Sequence, residues 1–283
     1  MSPDSPQNPP AMTTLGIIAG NGRYPHAIAI AARRAGVPKI IVAAFDGETE
    51  ASLAELCDAM RYMRVGQLGK MINHFKEHGV TRAIMAGQIA PKNLFDLRPD
   101  LRSLMLLAKL KERNADSIFS GIADELAKDG IELLPATTYL EEQVPGPGHV
   151  CGVPLDRRQR DDAAYAFRIA KETSRLDIGQ SVVVRHGTVL AVEAFEGTNE
   201  CIRRGGQMGK GQALLAKVSK PKQDFRFDVP VIGPQTISTC AEAGVKAIVI
   251  EAGCTLILEP EAVRSLCMTH GICVHAMDIT AFA

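Results

Sequence analysis

The sequence has little aromatic character and no net charge. It contains no tryptophan, and aromatic residues make up only 5% of its 283 residues. Proteins that bind single-stranded nucleic acid commonly stack the bases on aromatic side chains, so the sequence disfavours this class. Its 32 Lys and Arg residues balance 32 Asp and Glu residues. Proteins held to nucleic acid mainly by charge carry a basic excess, and we therefore predict no nucleic-acid partner, with a local basic patch as the alternative.

Paired cysteines, metal-binding histidine motifs and long apolar runs are also lacking. The seven cysteines show no CxxC spacing and the seven histidines show no HxH or HExxH spacing, which predicts neither a disulfide framework nor a zinc site. No apolar run approaches the roughly 20 residues of a transmembrane helix. Residues 1–12 are proline-rich and lack the basic and apolar regions of a signal peptide, so we predict a disordered arm and a cytoplasmic protein.

Short apolar runs that alternate with helical stretches predict an α/β fold. The runs Leu15–Ala19, Lys39–Ala44 and Arg82–Ala86 are typical of buried parallel strands. Residues 53–60 are predicted as a helix. We assign residues 13–140 to a Rossmann-like domain with a parallel sheet.

Proline and glycine then become frequent, which predicts a linker over residues 141–157. Residues 158–283 are predicted as a second α/β domain that carries the catalytic site. Within it, a turn at His186–Gly187 predicts a β-hairpin. Residues 213–218 are ambiguous between helix and strand.

The first glycine-rich turn follows the first predicted strand. Gly20, Asn21 and Gly22 precede a helix with Pro25 in its first turn, and glycine amides at a helix N-terminus are suited to hold a phosphate. We therefore predict that these three residues bind substrate. Two alternatives stay open: a tight turn that binds nothing, and a dinucleotide site, which Pro25 disfavours because it replaces the third glycine of that motif.

Three further polar residues of this domain lie near the ends of predicted elements. Gln88 follows a predicted strand, where ligands of open parallel sheets bind, and its amide suits a base or a sugar hydroxyl. Asn114 and Asp116 lie between two helical stretches. We predict that all three bind substrate. A simple turn role for Gln88 and helix capping by Asp116 are the alternatives.

Charged residues cluster after the predicted strand that ends at Glu193. Glu196, Gly197 and Thr198 come next, and Arg203 follows shortly before a pair of glycines. Carboxylate oxygens suit Mg²⁺ or a sugar hydroxyl, and a guanidinium suits phosphate. We predict that these five residues bind substrate, with a charged loop held by salt bridges as the alternative.

The segment KPKQDFRFD is the most suggestive in the chain. If it is extended, Asp224, Arg226 and Asp228 point to one face. Two carboxylates and a guanidinium, with lysines nearby, are suited to hold Mg²⁺ and a diphosphate together. The alternative is an edge strand with a solvated face. We predict as catalytic Asp228, Asp224, Lys222 and Arg226; as metal ligands Asp228 and Asp224; and as substrate-binding Lys220 and Gln223.

Two more polar residues lie at element ends in the second half. Thr236 enters a predicted helix whose amides are suited to an anion, and we predict that it binds substrate. Glu251 ends the predicted strand KAIVIE. Ligands bind at the carboxyl ends of parallel strands, so we predict Glu251 as a third metal ligand.

Several motifs acting as a group resemble one family. The resemblance rests on LGIIAGNGRYP, LDIGQSVVV, AVEAFEGTNE, KPKQDFRFDVPVIGPQTI and VIEAG, and it covers nearly the whole chain from about Thr13. These motifs are similar to those of the LpxI-type UDP-2,3-diacylglucosamine pyrophosphatases of lipid A biosynthesis. The resemblance places the family's acidic motif on Asp224 and Asp228. Asn199 departs from the family's EGTD-like pattern, in which we expect Asp.

The resemblance implies a reaction and a location. Water attacks the α-phosphorus of UDP-2,3-diacylglucosamine with assistance from Mg²⁺, and UMP and 2,3-diacylglucosamine 1-phosphate (lipid X) are released. The enzyme is expected to be cytoplasmic and peripheral, in transient contact with the cytosolic face of the inner membrane. Its oligomeric state stays open. The alternatives are an NAD(P)-dependent oxidoreductase and a nucleotide-sugar- or lipid-binding module without turnover.

Overall fold

A computed structural model describes residues 13–89, 99–110, 115–221 and 223–278, with only the backbone described at residues 115 and 116. Contacts divide the chain into two compact units. The first comprises Met1–Leu140 and Asp224–Phe227, and the second comprises Glu141–Gln223 and Asp228–Ala283. Asn114, Lys222 and the predicted arm over residues 1–12 lie outside the described residues, as does the side chain of Asp116.

The first unit contains a parallel sheet of five strands in the order β3-β2-β1-β4-β5. Strand β1 lies in the middle and is buried along its whole length, as its apolar sequence predicts. The chain adds β2 and β3 on one side of β1, then β4 and β5 on the other. The strands are β1 (Thr14–Ala19), β2 (Lys39–Phe45), β3 (Ala59–Met63), β4 (Arg82–Ala86) and β5 (Glu132–Leu133).

The described helices of the first unit are α1 (Tyr24–Arg34), α2 (Leu68–Glu77), α3 (Leu101–Lys109) and α4 (Ala115–Lys128). The helix predicted over residues 53–60 is wrong. A 3₁₀ helix covers Ala51–Leu56, and the chain then enters β3, where Ala59 pairs with Ile41 of β2. Pairing with a neighbouring strand thus overrides the local helical preference of this segment.

The second unit contains a mixed sheet of six strands in the order β6-β13-β11-β9-β7-β8. Strands β9, β11 and β13 are parallel, whereas β6, β7 and β8 pair in antiparallel fashion. The predicted hairpin is confirmed as β7 and β8, and strand β9 covers residues 213–217 of the ambiguous stretch. The strands are β6 (Gly148–Cys151), β7 (Ser181–Arg185), β8 (Thr188–Val192), β9 (Ala213–Lys217), β11 (Val245–Glu251) and β13 (Cys273–Met277), with β10 (Val231–Ile232) and β12 (Leu256–Ile257) in a separate pair.

The described helices of the second unit are α5 (Arg157–Arg175), α6 (Thr198–Gly209), α7 (Pro234–Ala243) and α8 (Pro260–His270). Helix α6 occupies the stretch interpreted above as a charged loop or a phosphate clamp. Its glycines serve packing: a Cβ on Gly206 would lie only 2.4 Å from the carbonyl oxygen of Ala243 in α7. The α/β fold class is therefore confirmed in both units. Strand β6 arises from the segment predicted as a linker.

Over the described ranges, no helix combines the length and the apolarity that crossing a membrane requires.

Candidate functional site: a buried polar cluster at the carboxyl edge of the second sheet

Charged and polar side chains are buried together where β9 and β11 end. Lys217 ends β9 and Glu251 ends β11, and both are at most 6% exposed. Charged side chains are seldom this buried unless they are paired or functional. Ligands of parallel sheets bind at this edge, so it is the candidate site. We call it the carboxyl-edge cluster, formed by Lys171, Ser181, Glu193, Thr198, Lys217, Ser219 and Glu251.

Lys217 is connected to Glu193 through a threonine hydroxyl. Its Nζ donates a 2.8 Å hydrogen bond to Oγ1 of Thr198, the first residue of α6, and this hydroxyl donates a 2.8 Å bond to Oε1 of Glu193. Among the described residues, the buried Oε2 of Glu193 has no hydrogen-bond partner. An unpaired buried carboxylate oxygen is costly, which makes this atom a candidate ligand for an incoming group.

The electrostatics of Lys217 are set by burial and by two carboxylates. Burial lowers the pKa of Lys217, whereas the negative charges of Glu193 and Asp228 act to raise its pKa. Asp228 is half-buried and follows the turn that contains Asp224. The structure thus brings two sequence-predicted carboxylates, Glu193 and Asp228, into the electrostatic environment of a lysine that the sequence analysis missed.

Glu251 holds the segment that follows β9. Its Oε2 accepts 2.7 Å bonds from the backbone N and from Oγ of Ser219. Nζ of Lys171 lies 3.1 and 3.0 Å from the two carboxylate oxygens of Glu251, and it also donates to the carbonyl oxygen of Ser219 at 2.8 Å. These contacts fix the chain next to Lys217. A metal-binding role for Glu251 stays a prediction, since both of its oxygens already have protein partners.

Lys220 and Gln223 lie in the loop after the cluster. Nζ of Lys220 donates a 2.6 Å bond to Oδ1 of Asp177, and the backbone N of Lys220 donates a 2.7 Å bond to Oε1 of Gln223. Nε2 of Gln223 is buried, and the described part of the chain offers it no acceptor. The loop therefore carries a cation and an amide donor close in sequence to Lys217, which is consistent with their predicted contact with substrate.

The segment after Gln223 is not extended as predicted. Residues 225–227 form a turn in which the backbone N of Arg226 donates to Oδ1 of Asp224 at 3.0 Å, and that of Phe227 donates to the Asp224 carbonyl at 3.2 Å. Nη2 of Arg226 also donates to Oδ2 of Asp224 at 2.6 Å and lowers the pKa of this carboxyl. A carboxylate that binds the amide two residues later favours a turn over a strand. The prediction of one shared polar face is therefore wrong.

The other charged residues at the start of α6 and just before it form ion pairs on the surface. Glu196 accepts from Arg204, and Glu200 accepts from Arg203. Exposed ion pairs of this kind contribute little free energy, so these arginines stay able to exchange partners. Substrate binding by Glu196, Gly197 and Arg203 stays a prediction.

In the first unit, the glycine-rich turn is held by main-chain bonds. The backbone N of Gly20 donates to Ala86 O at 2.8 Å, and that of Asn21 donates to Gln88 O at 2.7 Å. A Cβ on Gly20 would lie 2.6 Å from the oxygen of Gln88, so the glycine permits close approach of two chain segments. Both amides therefore already have main-chain acceptors, which disfavours them as phosphate donors. Contact of Gly20, Asn21, Gly22 and Gln88 with substrate by other atoms stays a prediction.

Thr236 has a local structural role at the start of α7. Its Oγ1 accepts a 3.4 Å bond from the backbone N of Gly233, which precedes the helix. This is a capping contact, and a contact with substrate stays a prediction.

Sequence reasoning missed Lys171, Ser181, Lys217 and Ser219. A usable signal existed only for Lys217, a single lysine that ends the apolar run ALLAK. That run was ambiguous between helix and strand, so the end of the run could not be assigned to a sheet edge.

Comparison with solved structures gives only distant likenesses. The biotin carboxylase domain of the 2-oxoglutarate carboxylase of Hydrogenobacter thermophilus shares 16% identity at a TM-score of 0.27, over 62% of this chain and 36% of that one. The biotin carboxylase subunit of pyruvate carboxylase shares 17% identity at a TM-score of 0.26, over 64% and 36%. The chain spans about a third of the length of these proteins. Likenesses this weak carry no argument about fold or function.

Comparison with sequence families gives a clear result. The family profile described as the LpxI N-terminal domain matches residues 14–143, and that of the LpxI C-terminal domain matches residues 146–275. A curated relative, the UDP-2,3-diacylglucosamine pyrophosphatase LpxI of Caulobacter vibrioides, is 33% identical over an alignment of 278 residues that covers 94% of this chain and 98% of that protein. The resemblance stated from the motifs is thus confirmed, and the chain belongs to the LpxI family.

Proposed function

We propose that this chain hydrolyses the diphosphate of UDP-2,3-diacylglucosamine to UMP and 2,3-diacylglucosamine 1-phosphate. The observation that carries the proposal is the end-to-end match: both halves fit the LpxI profiles, and the pyrophosphatase of Caulobacter vibrioides aligns over 98% of its length. An enzyme with both parts of a family's architecture is expected to share its reaction class. The carboxyl-edge cluster supplies residue types that suit diphosphate hydrolysis.

In the proposed reaction, a water oxygen forms a bond to the α-phosphorus. The bond between that phosphorus and the bridging oxygen breaks, and the bridging oxygen leaves with the sugar phosphate. We assign Asp228 as the group that accepts the water proton or holds a metal ion. The ammonium groups of Lys217 and Lys220 offset the negative charge that develops on the phosphates, since fixed charges in a buried site act strongly there.

The donor set also fits Mg²⁺. This ion usually takes one or two protein carboxylates together with phosphate oxygens of the substrate. The unpaired Oε2 of Glu193 and the carboxylate of Asp228, both acting on Lys217, match that requirement. Bound Mg²⁺ would supply neutralisation of diphosphate charge. Asp224, which is bound to Arg226, suits a role in positioning that arginine better than a role as a metal ligand.

We further propose where the enzyme works and how its first unit is classified. The acyl chains of the substrate reside in a membrane, so we propose transient contact with the cytosolic face of the inner membrane by an otherwise cytoplasmic enzyme. The strand order β3-β2-β1-β4-β5 supports a Rossmann-like first unit.

The test is UMP release from UDP-2,3-diacylglucosamine in water labelled with ¹⁸O, with EDTA and then with added Mg²⁺. We expect UMP that carries the label, loss of activity with EDTA and recovery with Mg²⁺. Label in the lipid phosphate instead would place the attack on the β-phosphorus. Absence of UMP from well-folded protein would refute the proposed function, and a heat-denatured preparation of the unmodified chain serves as the background control.

A further inference from the structure

Three potential metal ligands converge at the C-terminal end of helix α2. His74, Glu77 and His78 are spaced i, i+3 and i+4, so they lie on one face of the helix. One ligand atom from each lies within 4.8 Å of the others. The expectation of no such site rested on the HxH and HExxH spacings, which do not include this order of residues.

The ring of His74 has a fixed tautomer and an unused nitrogen. Its Nε2 lies 3.1 Å from the carbonyl oxygen of Val42. A carbonyl can only accept, so this nitrogen carries the proton and Nδ1 keeps its lone pair. His74 is only 2% exposed, and none of the described residues gives Nδ1 a hydrogen-bond partner. A buried lone pair without a donor is in the state that a metal ligand requires.

The ring of His78 is arranged in the same way. Its Nδ1 lies 2.9 Å from the carbonyl oxygen of His74, so Nδ1 carries the proton and Nε2 keeps the lone pair. Histidines that bind metals usually donate their second N–H to a carbonyl or a carboxylate, as both rings do here.

Glu77 supplies an oxygen ligand at the surface. It accepts a 2.8 Å bond from Nη2 of Arg61, and both side chains are partly exposed. Arg61 and Glu77 line an open groove of about 730 Å³, which gives a hydrated ion access to the Glu77 carboxylate. Arg61 opposes metal binding in two ways, because it occupies the carboxylate and repels a cation.

We propose that His74, Glu77 and His78 form a binding site for a divalent transition-metal ion such as Zn²⁺. Two imidazoles and one carboxylate favour Zn²⁺, Co²⁺ or Ni²⁺ over Mg²⁺, and water fills the remaining positions. The site shares no residue with the carboxyl-edge cluster. The proposal is therefore independent of the proposed hydrolysis.

The test is calorimetric titration of the full chain with Zn²⁺ in a buffer without chelators. We expect one strong site, at least about tenfold weaker binding in His78→Gln and Glu77→Gln, and several-fold tighter binding in Arg61→Gln. His270→Gln removes an exposed histidine of α8, and Arg34→Gln removes an exposed charge of α1. Both controls are expected to bind Zn²⁺ as the unmodified chain does.

Two results would overturn the proposal. Equal Zn²⁺ affinity in the unmodified chain and in His78→Gln would show an adventitious ion only. Equal Zn²⁺ affinity in Arg61→Gln and Arg34→Gln would show that removal of Arg61 does not make the Glu77 carboxylate available to the ion. Metal-free melting curves check that each variant folds. If His78→Gln does not fold, Glu77→Gln and Arg61→Gln, which change partly exposed side chains, decide the question.

Discussion

The carboxyl ends of the parallel strands are built differently in the two units. In the first unit, the chain after β1 lies so close to the chain after β4 that the amides of Gly20 and Asn21 bond to main-chain carbonyls. In the second unit, the corresponding edge buries Lys217, Glu193 and Glu251. The glycine pattern therefore reflects packing. The second edge has the greater chemical capacity because it buries three charged side chains, whereas the described residues of the first edge bury one, Glu48.

The energetic difference explains why the second edge is the stronger candidate. Burial of charged groups has a large desolvation cost, which ion pairs and hydrogen bonds only partly offset. At the second edge, the charged groups stay buried even though one oxygen of Glu193 has no hydrogen-bond partner among the described residues. At the first edge, the amides of Gly20 and Asn21 are bonded, and Glu48 after β2 is the one buried carboxylate among the described residues there. The comparison makes the following predictions, in order of decreasing effect.

Replacement of Lys217 by Met is expected to have the largest effect. The variant keeps the volume of the side chain and removes the charge that offsets the phosphates. We expect kcat for UMP release to fall by a factor on the order of 100 to 1,000. Lys246→Met, which changes an exposed lysine of β11, is the control. A folded Lys217→Met variant with kcat close to normal would show that the buried charge of the second edge does not contribute to hydrolysis.

Replacement of Glu251 by Ala is expected to destabilise the second unit strongly. It leaves Lys171, a largely buried cation, without its carboxylate partner and frees the Ser219 donors. Loss of one partner from a buried ion pair costs about 3–5 kcal/mol in the free energy of unfolding. Urea denaturation measures the effect, and the double variant Lys171→Met with Glu251→Met should recover part of the loss. A cost below about 1 kcal/mol would show that the pair is not structural.

Replacement of Gly20 by Ala is expected to act through packing. The added Cβ would meet the Gln88 carbonyl at 2.6 Å, so two main-chain segments must separate. We expect the free energy of unfolding to fall by about 1–3 kcal/mol. Gly146→Ala is the matched control because a Cβ there has nothing within 4 Å. Equal stability of the two variants would contradict the packing interpretation.

Replacement of Asp224 by Asn is expected to have a small, pH-dependent effect. Arg226 lowers the pKa of Asp224 in the folded state, so the charged carboxylate stabilises the fold above the unfolded pKa of about 3.9. This contribution is lost as the pH falls through the lower, folded pKa. We expect the variant to be less stable by up to about 1 kcal/mol at pH 7, and the difference to shrink towards pH 3. An equal loss of stability at pH 7 and pH 3 would contradict this assignment of the Asp224 charge. Asp161→Asn, which changes an exposed carboxylate, is the control.

Much of the fold could be predicted because buried parallel strands are apolar on both faces. The runs Leu15–Ala19, Lys39–Ala44 and Arg82–Ala86 correspond to β1, β2 and β4. The error at residues 53–60 has another origin. Strand pairing and helix packing are decided by distant residues, and a local pattern does not contain them.

The site was predicted less completely for a related reason. Glu193, Thr198 and Glu251 follow recognisable strands, so their placement at the sheet edge could be inferred from the sequence. Lys217 could not, because burial of a lysine depends on which carboxylates the fold brings near it. The turn at Asp224 was not predicted. It forms because the Asp224 carboxylate binds the backbone amide of Arg226, which favours a turn over an extended strand.

The measurement that tests the central claim most directly is the rate of UMP release by Asp228→Asn at saturating substrate and Mg²⁺. If hydrolysis occurs at the carboxyl-edge cluster, this variant should fold and bind substrate but lose most of its kcat, since Asp228 acts mainly in the transition state. Asp161→Asn, on the exposed face of α5, should be fully active. A folded Asp228→Asn variant with a kcat near that of the unmodified chain would contradict the account.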